Sequence, residues 1–62
     1  MNNPNNLIYW IYVDRAREWR WQLVASNGRI IADSGEGYTS RENCIAGINL
    51  TASSAGAPIK TR

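Results

Sequence analysis

Residues 18–34 have little choice but to fold back on themselves as a β-hairpin. From Glu18 to Ser26 the side chains alternate, with Trp19, Trp21, Leu23 and Ala25 on one side and Glu18, Arg20, Gln22 and Val24 on the other. That two-residue period is the mark of a strand with one covered face. Asn27-Gly28 follows, a dipeptide that suits a type I′ turn because both central residues of that turn need positive φ. Arg29-Ile30-Ile31-Ala32-Asp33-Ser34 then reads as the return strand. A two-residue turn pairs Ala25 with Ile30 and Leu23 with Ala32 and sets all four on the tryptophan face. Turn chemistry and hydrophobic pattern therefore agree.

The flanking segments fill out one small domain. Residues 1–6 are asparagine-rich with a proline and are expected to form a loosely attached tail, leaving 7–62 as a single domain. Leu7 to Val13 is an unbroken aliphatic and aromatic run, read as a first strand covered wholly or partly on both faces. The polar Asp14-Arg15-Ala16-Arg17 turns it into the hairpin. Periodicity leaves the register of this strand open. A four-residue turn puts Trp10 and Tyr12 on the tryptophan face, whereas a three- or five-residue turn puts Tyr9 and Ile11 there.

After a turn at Gly35–Thr39, Ser40 is a good N-cap and Glu42 sits in a first helical turn, where the backbone dipole favours a carboxylate. Cys44, Ile45 and Ile48 form an apolar stripe at helical spacing. The helix is expected over Arg41 to about Leu50, with Gly47 weakening it or permitting close approach to the sheet. Residues 51–56 read as a linker of small residues, and Pro58–Thr61 as a short edge strand in which a leading proline is tolerated. The order is β-β-β-α-β, an α+β fold.

A chain of 62 residues buries too little surface to be comfortably stable without a staple. Cys44 is the only cysteine and histidine is absent, so an internal disulfide is impossible and a structural zinc site lacks ligands. Association with a second copy is the staple that remains. The lone thiol fits a reducing compartment, the first six residues hold no basic residue of the kind that opens a signal peptide, and the apolar run 7–13 is too short to span a bilayer. A cytoplasmic, non-membrane protein is expected. The net charge of +2 is compatible with an anionic partner without requiring one.

Catalytic readings fare poorly. Without histidine the commonest general base is missing. Cys44 near a helix N-terminus suggests a nucleophile, yet it shares the apolar stripe with Ile48 and reads better as buried packing. Asp33 and Glu36 read as a strand end and a solvated turn rather than a carboxylate pair. Gly35-x-Gly37 ahead of a helix lacks the third glycine of a dinucleotide fingerprint and the Lys-Ser/Thr ending of a P-loop, so a tight turn explains it. No enzyme, catalytic residue, cofactor or metal site is expected.

Taken as a set, several elements resemble the YegP-like domain family, whose biochemical role is unknown. They are Ile11-Tyr12-x-Asp14, Glu18-Trp19-Arg20-Trp21-x-Leu23 and Asn27-Gly28-x-Ile30-Ile31-Ala32, then Ser34-Gly35-Glu36-Gly37-Tyr38-x-Ser40 and Asn43-Cys44-x-x-Gly47-Ile48. The match runs from about Tyr9 to Ile48 and weakens beyond. The resemblance implies a β-β-β-α-β unit that works in pairs. Long members carry two units in tandem; in short members two chains build one continuous antiparallel sheet and exchange their C-terminal strands. A chain with one unit is expected to be a homodimer in which Pro58–Thr61 pairs with the partner. The family pattern also favours Tyr9 and Ile11 facing the core. Arg17 stands where the family often has glycine, and the tail after Ile59 is short.

With Tyr9 and Ile11 inward, Trp10 and Tyr12 lie on the opposite sheet face, beside Arg20 of the neighbouring strand. Exposed aromatics interleaved with arginine are what single-stranded nucleic acid binders present. The competing explanation is that a partner subunit or the tail covers these rings, with Arg20 in a cation–π contact. The sequence thus favours a small dimeric, non-enzymatic binding or interaction module of unknown ligand. Weak, non-specific single-stranded nucleic acid binding through Trp10, Tyr12 and Arg20 is the alternative.

Overall fold

A computed structural model describes residues 6–62; all but the last residue of the tail expected at 1–6 lies outside them. Three strands, β1 (Ile8–Val13), β2 (Trp19–Val24) and β3 (Ile30–Asp33), form an antiparallel sheet in the order β1-β2-β3. A 12-residue helix, α1 (Arg41–Ala52), packs on one side, and a 3-10 turn follows at Ser54–Gly56. The α+β architecture matches the sequence reading.

The open question of the first strand is resolved by its turn. Asp14 N donates to Glu18 O at 2.9 Å and Arg17 N to Asp14 O at 3.0 Å, enclosing a three-residue loop, 15–17. Tyr9 then faces Leu23, Ile11 faces Trp21 and Val13 faces Trp19, so Tyr9 and Ile11 share the covered face with the tryptophans. The Tyr9 and Trp21 rings meet edge-to-face, with centroids 5.4 Å apart. Trp21 and Cys44 are the buried apolar residues of this core.

The second hairpin departs from expectation. Gly28 has φ +84°, but Asn27 is not in the left-handed region, so the turn is not type I′. Gly28 N donates to Ala25 O and Ala25 N to Arg29 O, again a three-residue loop, and Ala25 pairs with Arg29 rather than Ile30. An irregularity between Leu23 and Val24 compensates: Val24 faces Ile30, yet Leu23 still faces Ala32. The loop shifts the pairing by one residue and the bulge shifts it back.

The segment after β3 returns to the sheet. Ser34 N donates to Trp21 O, and Tyr38 exchanges both backbone bonds with Trp19 at 2.7 and 2.8 Å. Gly35 carries the positive φ that this turn needs. Gly37 serves a different purpose, because a Cβ there would collide with the Glu18 side chain. Ser40 caps α1 by accepting from Asn43 N at 3.1 Å. A Cβ on Gly47 would lie 2.5 Å from the Tyr38 hydroxyl, so the glycine is what lets α1 settle onto the sheet.

The C-terminal region departs from expectation at the helix end. The helix runs two residues past Leu50, and the expected linker contains the helix end and the 3-10 turn. The expected strand at Pro58–Thr61 is not formed within the single chain, where residues 57–62 are exposed and have no regular structure. A strand needs a neighbour to satisfy its backbone groups, and among the described residues no strand pairs with this segment.

Candidate functional site

The face of the sheet turned away from α1 gathers an apolar surface with little to cover it. Alternation along β1 puts Ile8, Trp10 and Tyr12 there, with exposures of 49%, 57% and 39%. Cross-strand pairing sets Trp10 beside Gln22 and Tyr12 beside Arg20. Ile30 and Ile31, each 54% exposed, crowd the bulge opposite Val24. The two aromatic rings singled out from the sequence thus share one open face.

Arg20 reaches the same face but is not an unengaged cation. Its Nε donates to Asp14 Oδ2 at 2.5 Å. The other carboxylate oxygen accepts from Ala16 N at 2.8 Å and Glu18 N at 3.0 Å. The Arg20 guanidinium and these backbone donors hold the Asp14 carboxyl below its ordinary pKa. The third proposed contact residue is thus paired with an acid across the hairpin. Alternation predicts which face a side chain occupies but says nothing of an acid six positions away. Among the described residues Arg15, Arg17, Arg29, Arg41, Lys60 and Arg62 have no ion-pair partner; of these, Arg15 and Arg17 lie in the first loop and Arg29 in the second, all exposed.

A second feature, which the sequence reading did not isolate, is the outer edge of β1. Because Asp14 and Glu18 form a hydrogen-bonded pair, alternation makes Tyr12–Arg20 and Trp10–Gln22 hydrogen-bonded pairs as well. The N–H and C=O groups of Tyr9, Ile11 and Val13 therefore point outward. No described strand lies on that side. The edge has six residues with no proline, lysine or bulge, so it lacks the usual defences against pairing with another chain. The parity of the first loop could have located these groups had its length been readable.

The remaining candidates do not assemble into chemistry. Cys44 is fully buried, and desolvation pushes its thiol pKa up despite the nearby Arg41 charge, the reverse of an activated nucleophile. Asp33 ends β3 and accepts from Gly35 N in the turn that follows, a capping contact rather than half of a carboxylate pair. Among the described residues no cluster of three or more His, Cys, Asp or Glu could hold a metal, and no helix is long and apolar enough to cross a membrane.

What fold and surface define together is a two-layer α+β domain whose distinctive features are an open apolar face and an unpaired sheet edge. Residues 14–60 match the family described as "Domain of unknown function (DUF1508)", and the chain belongs to that family, the one its motifs resemble. The match reaches further towards the C-terminus than the motifs alone suggest. The chain is 49% identical over 51 residues to a UPF0339 protein of Neisseria meningitidis serogroup B, spanning 81% of this chain and 89% of the relative. It is 50% identical over 38 residues to a UPF0339 protein of Methanosarcina acetivorans, spanning 61% and 64%. Its fold is similar to the NMR solution structure of a protein from Haloferax volcanii, with a TM-score of 0.84 and 38% identity over 94% of this chain and 97% of that one.

Proposed function

We propose that the protein is a cytoplasmic, non-enzymatic interaction module that acts as a homodimer, each copy giving its Pro58–Thr61 segment to the sheet edge of the other. The observation that carries this reading is Ile59. It is 99% exposed in the single chain, yet it falls inside the stretch that matches the family. Removing an isoleucine side chain from water is worth roughly 1.5–3 kcal/mol, and an adjacent chain is the available means of doing so. The outward groups of Tyr9, Ile11 and Val13 offer a matching acceptor, because added strands bind through main-chain hydrogen bonds and gain specificity from alternate side chains. A buried high-pKa thiol and the absence of histidine support a binding role over a catalytic one.

Sedimentation over a wide concentration range tests this reading. The full chain is expected to shift from a 7.0 kDa species to one of twice that mass as it is concentrated. Ile59→Asp should weaken self-association at least tenfold while leaving the monomer fold intact, since the native side chain touches almost nothing there. A mass that stays at the single-chain value throughout, with a melting temperature indifferent to dilution, defeats the proposal.

A further inference from the structure

The open face raises a separate question, because pairing at the edge of β1 leaves Trp10 and Tyr12 uncovered. We infer that this face binds single-stranded nucleic acid, with Trp10 and Tyr12 stacking on bases and Arg15, Arg17 and Arg29 meeting the phosphates. The arrangement is a stripe. Trp10 and Tyr12 are successive outward residues of one strand, a spacing of about 6.6 Å. The first loop, with Arg15 and Arg17, lies at the Tyr12 end. The second loop, with Arg29, lies at the opposite end, where Ile8 faces Val24. An aromatic platform with cations at both ends suits a backbone running along β1, and sheet aromatics of this kind take two or three bases.

Two features favour this occupant over a second copy packed face to face. Three strands at about 4.8 Å separation and some 20 Å long give the face a planar footprint of only roughly 300 Å², a small base for the ~800 Å² of accessible surface per partner that a standard protein interface buries. Two-fold packing would also bring arginine-bearing loops against arginine-bearing loops, a like-charge contact that opposes association. Arg17 adds an independent sign. It sits at φ +62°, a region where glycine is at ease and an arginine is strained. A strained residue that carries charge at the end of a binding stripe is where strain is commonly retained for function.

Fluorescence anisotropy with labelled oligo-dT and oligo-U, using the full chain at low and at physiological salt, tests the inference. Saturable binding is expected. Trp10→Thr keeps strand propensity but removes the ring, and should weaken binding about tenfold or more. Arg17→Gly suits the backbone and should flatten the slope of log K against log salt by about 0.7, a change that unfolding cannot mimic if the variant melts no lower than the native chain. No saturable binding at low salt overturns the inference. So does a Trp10→Thr titration that overlays the native one. Polyglutamate displacing the probe as well as unlabelled oligo-dT does would likewise end it, by marking a surface for acidic proteins. Ile59→Asp separates this inference from the dimer, since it breaks the proposed exchange without touching the stripe.

Discussion

The two hairpins of this sheet are built on the same three-residue loop and solve its difficulties with different chemistry. In each, the residue opening the loop (Asp14 or Ala25) accepts from the third loop residue and donates to the residue after it. In each, the third loop residue takes the left-handed conformation, Arg17 at φ +62° and Gly28 at φ +84°. In each, the next residue's N–H needs an acceptor that the backbone no longer supplies. The second hairpin provides it with Asn27, whose Oδ1 accepts from Arg29 N at 2.9 Å. The first provides it with Asp14, whose carboxylate caps Glu18 N and reaches across to Arg20. Glycine makes one loop relaxed and self-contained. Arginine makes the other strained and dependent on an acid that also holds down the sheet face. The lesson is that identical backbone geometry need not imply identical purpose, and the costlier loop is the one beside Tyr12.

Substitution at the left-handed position gives the sharpest contrast. Gly28 has open space around its missing Cβ, so Gly28→Ala isolates the backbone effect. It should cost about 1 kcal/mol, since an L-residue pays roughly 1–2 kcal/mol there and recovers part by restricting the unfolded chain. In a domain of this size that is a melting-temperature loss of roughly 4–8 °C. A neutral result would mean that the left-handed position carries no strain and would remove the basis of the comparison. The converse change is smaller. Arg17→Gly should stabilise the fold by about 0.5 kcal/mol, the relief of strain exceeding the greater unfolded-state freedom of glycine. Both measurements belong at one fixed protein concentration, because self-association moves the melting point. If Arg17→Gly instead destabilises, the arginine is contributing packing, and the argument for a retained functional charge loses its footing.

The same loops show how far the sequence could be read. Asn27-Gly28 located the second hairpin but suggested a two-residue turn. The Leu23–Ala32 pairing emerged correctly because the longer loop and the bulge at Leu23/Val24 cancel, and a turn dipeptide carries no information about a bulge three residues away. Alternation leaves the first hairpin undecided because both faces of β1 are apolar; its length depends on Arg17 accepting a conformation that favours glycine. The aromatic part of the candidate face was legible once that parity was known. The status of Arg20 was not, since its ion pair joins positions brought together only by the turn. Pro58–Thr61 illustrates a different boundary. Its composition reads as strand, but strand formation requires backbone partners, and among the described residues no strand pairs with it.

Acid pH gives the subtlest separation of the two loops. Arg20, together with the Glu18 and Ala16 amides, stabilises the Asp14 carboxylate, so its pKa is lower in the folded chain than in the unfolded one. A depressed folded-state pKa contributes stability that is complete above the ordinary carboxylate pKa and fades as pH falls through the lower folded value. Asn27 makes the corresponding contact in the second loop and does not titrate. In an acid titration followed by NMR, the Glu18 and Ala16 amide signals should therefore move together, with a midpoint below that of an unperturbed aspartate, as their acceptor is protonated. The Arg29 amide should show no transition at that midpoint. Asp14→Asn should abolish the Glu18 transition while retaining an acceptor, making the first loop behave like the second. Should Glu18 and Arg29 titrate alike in the native chain, the transition belongs to the whole sheet, and the carboxylate does not hold the first loop in the way its geometry indicates.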